Sequence, residues 1–178
     1  MPHGILSQAQ QEAVRPHIVG KVIHDLGCGD LELSRWLIQA GAKKVVAIDR
    51  YPPSCSRFTQ VTVVVTWFHL YQEPVETVFL SWPINWQDPG LLRMVNEAKL
   101  VIYLGSNLDG NACGFREMFE HLLCREVLAH VPDRKNTLVV YGNQVVEREP
   151  IPEEFAALNQ ERVYSFQEVY RPNDVSSP

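Results

Sequence analysis

The chain has 178 residues, 46% of them hydrophobic and 21% charged, which fits one soluble globular domain with room for a substantial core. A formal net charge of −5 supplies no global positive field for a phosphate backbone, and the basic pairs Lys43–Lys44 and Arg134–Lys135 read as solvated turns. No apolar run nears the roughly 20 residues that span a bilayer, and the N-terminal MPHGILSQAQQEAV turns polar too early for a signal peptide. Cys28, Cys55, Cys113 and Cys124 form no CxxC pair and no zinc-like spacing with the six histidines. The expectation is therefore a cytoplasmic protein with reduced thiols and no resident metal, in which the histidines are structural.

Helix and strand signals alternate along the chain. Ser7 is a suitable N-cap for a helix over 7–18, which Pro16 should end or bend. KVIHDL (21–26) reads as a strand running into a glycine loop. Residues 30–40 place Leu33, Trp36, Leu37 and Ala40 at helical spacing, with Gly41 where a C-terminal cap belongs. Strands follow at 44–49 (KVVAID) and 59–66 (TQVTVVVT), separated by the Pro-rich turn YPPSCS.

The second half keeps this rhythm. A strand at 77–82 (TVFLSW) stops at Pro83, a short helix covers 90–98, and LVIYLG (100–105) is a fifth strand. The longest helix is expected over 115–129, with apolar residues at 115, 118, 119, 122, 123 and 127. TLVVY (137–141) is a sixth strand, 153–158 a helical turn, and RVYSFQEVY (162–170) a seventh strand running antiparallel. This alternation predicts an α/β fold, a Rossmann-like doubly wound sheet of seven mostly parallel strands in one domain over 1–178, with a loose tail at 172–178.

The stretch HDLGCGDLELSRWL (24–37) carries the functional signal. A strand, a glycine turn and a helix together present backbone N–H groups and a positive helix end to a ligand. Three ligand classes compete. A P-loop needs Lys-Ser or Lys-Thr after the loop, and none is present. The dinucleotide fingerprint needs a third glycine where this chain has Glu32.

The third reading adds Asp25. DLGCGD between a strand and a helix resembles the first motif of class I S-adenosylmethionine-dependent methyltransferases, an acid followed by glycines at every second position. Asp25, Gly27 and Gly29 match, and Leu31 stands at the place of the last glycine. The resemblance implies S-adenosylmethionine as cofactor, with Asp25, Gly27, Cys28 and Gly29 at its methionine end, where a carboxylate suits an ammonium. Asp49 ends the second strand 20 positions after Gly29, a spacing at which an acid reaches a ribose in doubly wound folds. Its neighbour Arg50 joins the cofactor set, as do Ser81 and the aromatic pair Trp67–Phe68, which could stack on the adenine. The family often has a polar or acidic residue after the third strand for the adenine edge; this chain has Thr66-Trp67-Phe68-His69 there.

Ser81-Trp82-Pro83-Ile84-Asn85-Trp86 is similar in position to the [D/N/S]-P-P-[Y/F/W] motif of methyltransferases acting on nitrogen, but tryptophan separates the serine from a single proline. No nucleobase or glutamine acceptor is therefore assigned. Trp82 and Asn85 are the acceptor-side candidates, Trp82 and Trp86 could wall a flat or cationic acceptor, and Asp109 and His69 are the candidate bases. The resemblance implies a methyltransferase; the acidic balance and the absence of a DPPY-type motif favour a small molecule or protein group over nucleic acid as its acceptor, and no membrane partner is expected. Two alternatives stand beside it: an NAD(P)-binding oxidoreductase of related fold, and a non-catalytic S-adenosylmethionine-binding regulatory domain.

Overall fold

The computed structural model describes residues 6–51, 59–83, 88–105, 116–133 and 136–145. Helix α1 (Gln8–Ile18) opens on Ser7, whose hydroxyl accepts from Gln10 N–H while the Gln10 side chain returns to Ser7 N–H. Pro16 does not end this helix. It sits in the last turn, and α1 continues to Ile18.

Strands β1 (Val22–Leu26), β2 (Lys44–Asp49), β3 (Val61–Val65), β4 (Thr77–Ser81) and β5 (Leu100–Gly105) run parallel to one another. Helix α2 (Glu32–Gln39) joins β1 to β2, and α3 (Pro89–Glu97) joins β4 to β5. The sheet order is β3-β2-β1-β4-β5-β7-β6, so the chain reverses its direction of travel across the sheet between β1 and β4. One apolar cluster lies on each face of the sheet. Val14, Ile18, Leu33 and Leu37 belong to one, while Leu91, Met94, Phe119 and Leu122 belong to the other. β5 is buried along its whole length, as an all-apolar central strand requires.

The helix expected over 115–129 is corrected. Helix α4 spans Arg116–Leu123, and after a turn at Cys124 the chain becomes strand β6 (Arg125–Pro132). Strand β7 (Thr137–Val145) then runs antiparallel between β5 and β6. The apolar residues at 115–123 are helical in period, whereas Val127, Ala129 and Val131 follow the period of two that suits the β6–β7 ladder. Val127 satisfied both patterns in the sequence. The antiparallel strand is thus 137–145, and the strand expected at 162–170 and the turn at 153–158 lie outside the described residues.

Candidate functional site

A cleft of about 250 Å³ opens at the carboxyl ends of β1, β2, β3 and β4, beside the switch point where doubly wound folds hold ligands. The glycine turn forms one wall. Gly27 and Gly29 take φ of 77° and 51°, a left-handed backbone that glycine adopts without steric cost. Leu31, at the place of the third glycine, takes φ 66° as well. A left-handed leucine costs about 1–2 kcal/mol, offset here because its side chain is buried in the core with Leu33 and Leu37.

Five N–H groups of this turn, those of Gly27, Cys28, Gly29, Leu31 and Glu32, are used internally. Gly27 N–H donates to the Ile48 carbonyl at 2.8 Å, and Cys28 N–H to the same oxygen at 3.4 Å. Gly29 N–H donates to Asp49 Oδ2 at 3.1 Å, Leu31 N–H to the Cys28 carbonyl at 3.0 Å, and Glu32 N–H to Asp30 Oδ1 at 3.2 Å. The turn is thereby tied to the end of β2 and does not form a nest of free donors. Asp30 and Glu32 add negative charge at the start of α2.

The two acids of the motif occupy different places. Asp49 lines the cleft, half-buried, with Oδ1 accepting from Tyr51 N–H at 3.1 Å and Oδ2 from Gly29 N–H. Asp25 pairs in register with Ala47 of β2 and Phe79 of β4, in the middle of the sheet, and is fully buried. Its Oδ2 accepts from Ser34 Oγ–H of α2 at 2.5 Å, and its Oδ1 has no hydrogen-bond partner among the described residues. Burial raises the Asp25 carboxyl from an ordinary 3.8 to about 6; the Ser34 hydroxyl opposes this, and the charges of Asp49 and Asp30 add to it. Asp25 lies under the turn and is not part of the cleft wall.

The remaining sequence candidates divide in the same way. Gly27, Arg50, Trp67, Phe68, Ser81 and Trp82 line the cleft with Asp49. Cys28 is buried in the core beneath α2, and Gly29 faces solvent. At the rim the Arg50 guanidinium lies 4.7 Å from the Tyr51 ring and 5.3 Å from the Trp67 ring, both exposed. Trp82 takes φ 51° at the end of β4, with its N–H bonded to the Leu104 carbonyl at 2.7 Å. A bulky residue held there marks strain of the kind found at binding sites. His69, exposed in the 3₁₀ turn Phe68–Leu70, places its ring 6.3 Å from that of Trp67 and is not in the cleft wall. Asn85, Trp86 and Asp109 lie outside the described residues.

Sequence reasoning passed over Tyr51, Thr66, Asp88 and Leu91, which also line the cleft. The signal for Asp88 was present in Asp88-Pro89-Gly90, a helix start with proline at the first position. Among the described residues no group of three or more His, Cys, Asp or Glu is arranged to hold a metal ion, and no helix is long and apolar enough to cross a membrane.

No family profile matches the sequence, and no curated protein matches it. Solved structures do. The N-methyltransferase NodS from Bradyrhizobium japonicum WM9 is 12% identical with a TM-score of 0.59, over 76% of this chain and 93% of that one. A 1,6-didemethyltoxoflavin-N1-methyltransferase from Burkholderia thailandensis, with its namesake compound and S-adenosylhomocysteine bound, is 12% identical with a TM-score of 0.57, over 76% of each chain. A ribosomal protein L11 methylase from Lactobacillus delbrueckii subsp. bulgaricus is 14% identical with a TM-score of 0.51, over 77% of this chain and 78% of that one. At such identities the shared property is the architecture, and this chain has the Rossmann-like fold of class I methyltransferase structures.

Proposed function

We propose that the chain, read as one domain over 1–178, is a class I methyltransferase that uses S-adenosylmethionine on a small-molecule or protein acceptor. One observation carries the reading. The glycine turn spends the Gly27, Cys28 and Gly29 N–H groups on Ile48 and Asp49 of β2, so these three do not cradle a pyrophosphate, while the cleft beside it offers a carboxylate at the ribose position. A phosphate-free adenosine ligand fits this arrangement, and a dinucleotide does not. The bound cofactor would supply a methyl group activated on a sulfonium.

The residues present fit that cofactor. Asp49 still has lone pairs for ribose hydroxyls, because each oxygen accepts only one backbone N–H. Asp25, with an oxygen under the turn that has no hydrogen-bond partner among the described residues, places a buried negative charge below the cleft, and a cationic ligand above it favours the ionised form. Trp67 and Phe68 supply apolar surface for a base. Among the described residues the cleft wall contains two carboxylates, Asp49 and Asp88, and no histidine. The protein's part in transfer is then to orient an acceptor that arrives as a competent nucleophile and to exclude water, with Trp82 on the acceptor side.

Isothermal titration calorimetry with S-adenosylhomocysteine and with NADH tests the reading. Binding of S-adenosylhomocysteine alone is expected. Binding of NADH alone would transfer the site to the oxidoreductase alternative, and S-adenosylhomocysteine binding without methyl transfer to any acceptor in a broad panel would favour the regulatory one.

A further inference from the structure

The residues that follow β3 directly, Thr66 to Gln72, include no acid, yet the tertiary structure brings one, Asp88, beside them from another element. Asp88 caps α3: its Oδ1 accepts from Gly90 N–H at 2.8 Å and Leu91 N–H at 3.0 Å. Two residues on, Gly90 is pressed against the 3₁₀ turn that follows β3. A β-carbon there would lie 2.1 Å from His69 N and 2.3 Å from the Phe68 carbonyl carbon, so only glycine permits this approach. The first turn of α3 is in this way locked beside Trp67 and Phe68, although it follows β4 in the chain. Asp88 is only 8% exposed and lines the cleft, and its Oδ2 accepts no hydrogen bond among the described residues. The cleft has apolar walls at this end, from Phe68 and Leu91, which belong to one packed cluster.

We infer that Asp88 reads the base of the bound adenosyl ligand, its free Oδ2 accepting a hydrogen bond from the 6-amino group while Phe68 and Leu91 flank the ring. The inference rests on the proposed cofactor. With the ribose at Asp49, the end of the cleft formed by β3 and the start of α3 is where the base can lie. A carboxylate oxygen in a site this enclosed accepts an amine donor and repels a carbonyl oxygen, so it selects adenine over a 6-oxo purine.

The test is calorimetry on the full chain with S-adenosylhomocysteine and its 6-oxo counterpart S-inosylhomocysteine. Wild type should prefer the adenosyl compound by about tenfold or more, the effect of one charge-assisted hydrogen bond. Asp88→Asn keeps an equally good helix cap. With its carbonyl held by Gly90 and Leu91, the amide N–H₂ replaces Oδ2 at the cleft and presents a donor to the base. The preference should therefore collapse or invert in this variant. A wild-type ratio near one, an unchanged ratio in Asp88→Asn, or an equal loss of both ligands in it overturns the inference and leaves the cofactor reading intact. If wild type binds neither compound, both fall together.

Discussion

Two buried charges in this chain are treated very differently. Arg125, at the start of β6, is 8% exposed, and its guanidinium donates to four backbone carbonyls. Ala98 and Gly142 accept at 2.7 and 3.3 Å, and Val95 and Asn96 at 2.8 and 3.1 Å. The residue closes the C-terminal end of α3, where a cation belongs, and fastens it to β7. Asp25, under the glycine turn, has among the described residues a single hydroxyl partner and one oxygen without any. A charge serving architecture is fully bonded. A buried charge left half-satisfied beside a cleft stores a cost that a ligand can relieve.

Removing the well-bonded charge should have the largest effect. Arg125→Ala leaves several buried carbonyls without a donor at once, and denaturant unfolding should show a loss of about 3–5 kcal/mol. A loss below about 1 kcal/mol would mean that water substitutes for the guanidinium and that the contrast with Asp25 is false.

Asp25→Asn should act in the opposite direction on the free protein. Since folding raises this carboxyl from 3.8 to about 6, its favourable contribution is complete below pH 3.8 and is lost as pH rises through about 6. At pH 7 the variant should be more stable than wild type by up to about 3 kcal/mol, and the fall of stability between pH 4 and 6 should flatten. Binding should show the reverse sign. Wild-type affinity for a cationic adenosyl ligand should rise with pH through about 6, and Asp25→Asn should bind it more weakly at pH 7. Parallel stability curves for the two proteins would remove Asp25 from the account.

Asp49→Ala sharpens the difference between cleft wall and floor. Loss of the ribose acceptor should weaken S-adenosylhomocysteine binding by about 1–3 kcal/mol in calorimetry, in a protein that remains folded. Unchanged affinity would count against the ribose assignment. The smallest effect is expected at Gly29→Ala. An added β-carbon meets nothing within 4 Å, so only the left-handed backbone is penalised, by about 1 kcal/mol of stability. A much larger loss would indicate that the turn moves when the ligand enters.

Much of this was legible because it is local. The strands β1 to β5 announce themselves as short apolar runs, and Gly27 and Gly29 mark a turn that only their backbone freedom allows. The tail of α4 was misread because Val127 fits both periods, and what decides for a strand is distant: the Arg125 head must reach carbonyls on α3 and β7, and a vacant edge of β7 must be filled. Asp25 and Asp49 looked alike in the sequence, each an acid at a strand end. Which one faces the cleft depends on the pleat of each strand and on where α2 places Ser34.

What the amino-acid order settled alone is the alternation of elements, the glycine turn and the acid 20 residues beyond it, since each depends on neighbours a few positions away. The tertiary structure decided that one acid lies under the turn and the other beside it. It also brought Asp88, 20 residues after Phe68 in the chain, to the turn that Phe68 begins. Burial and close approach are made by segments far apart in sequence, and no local pattern records them.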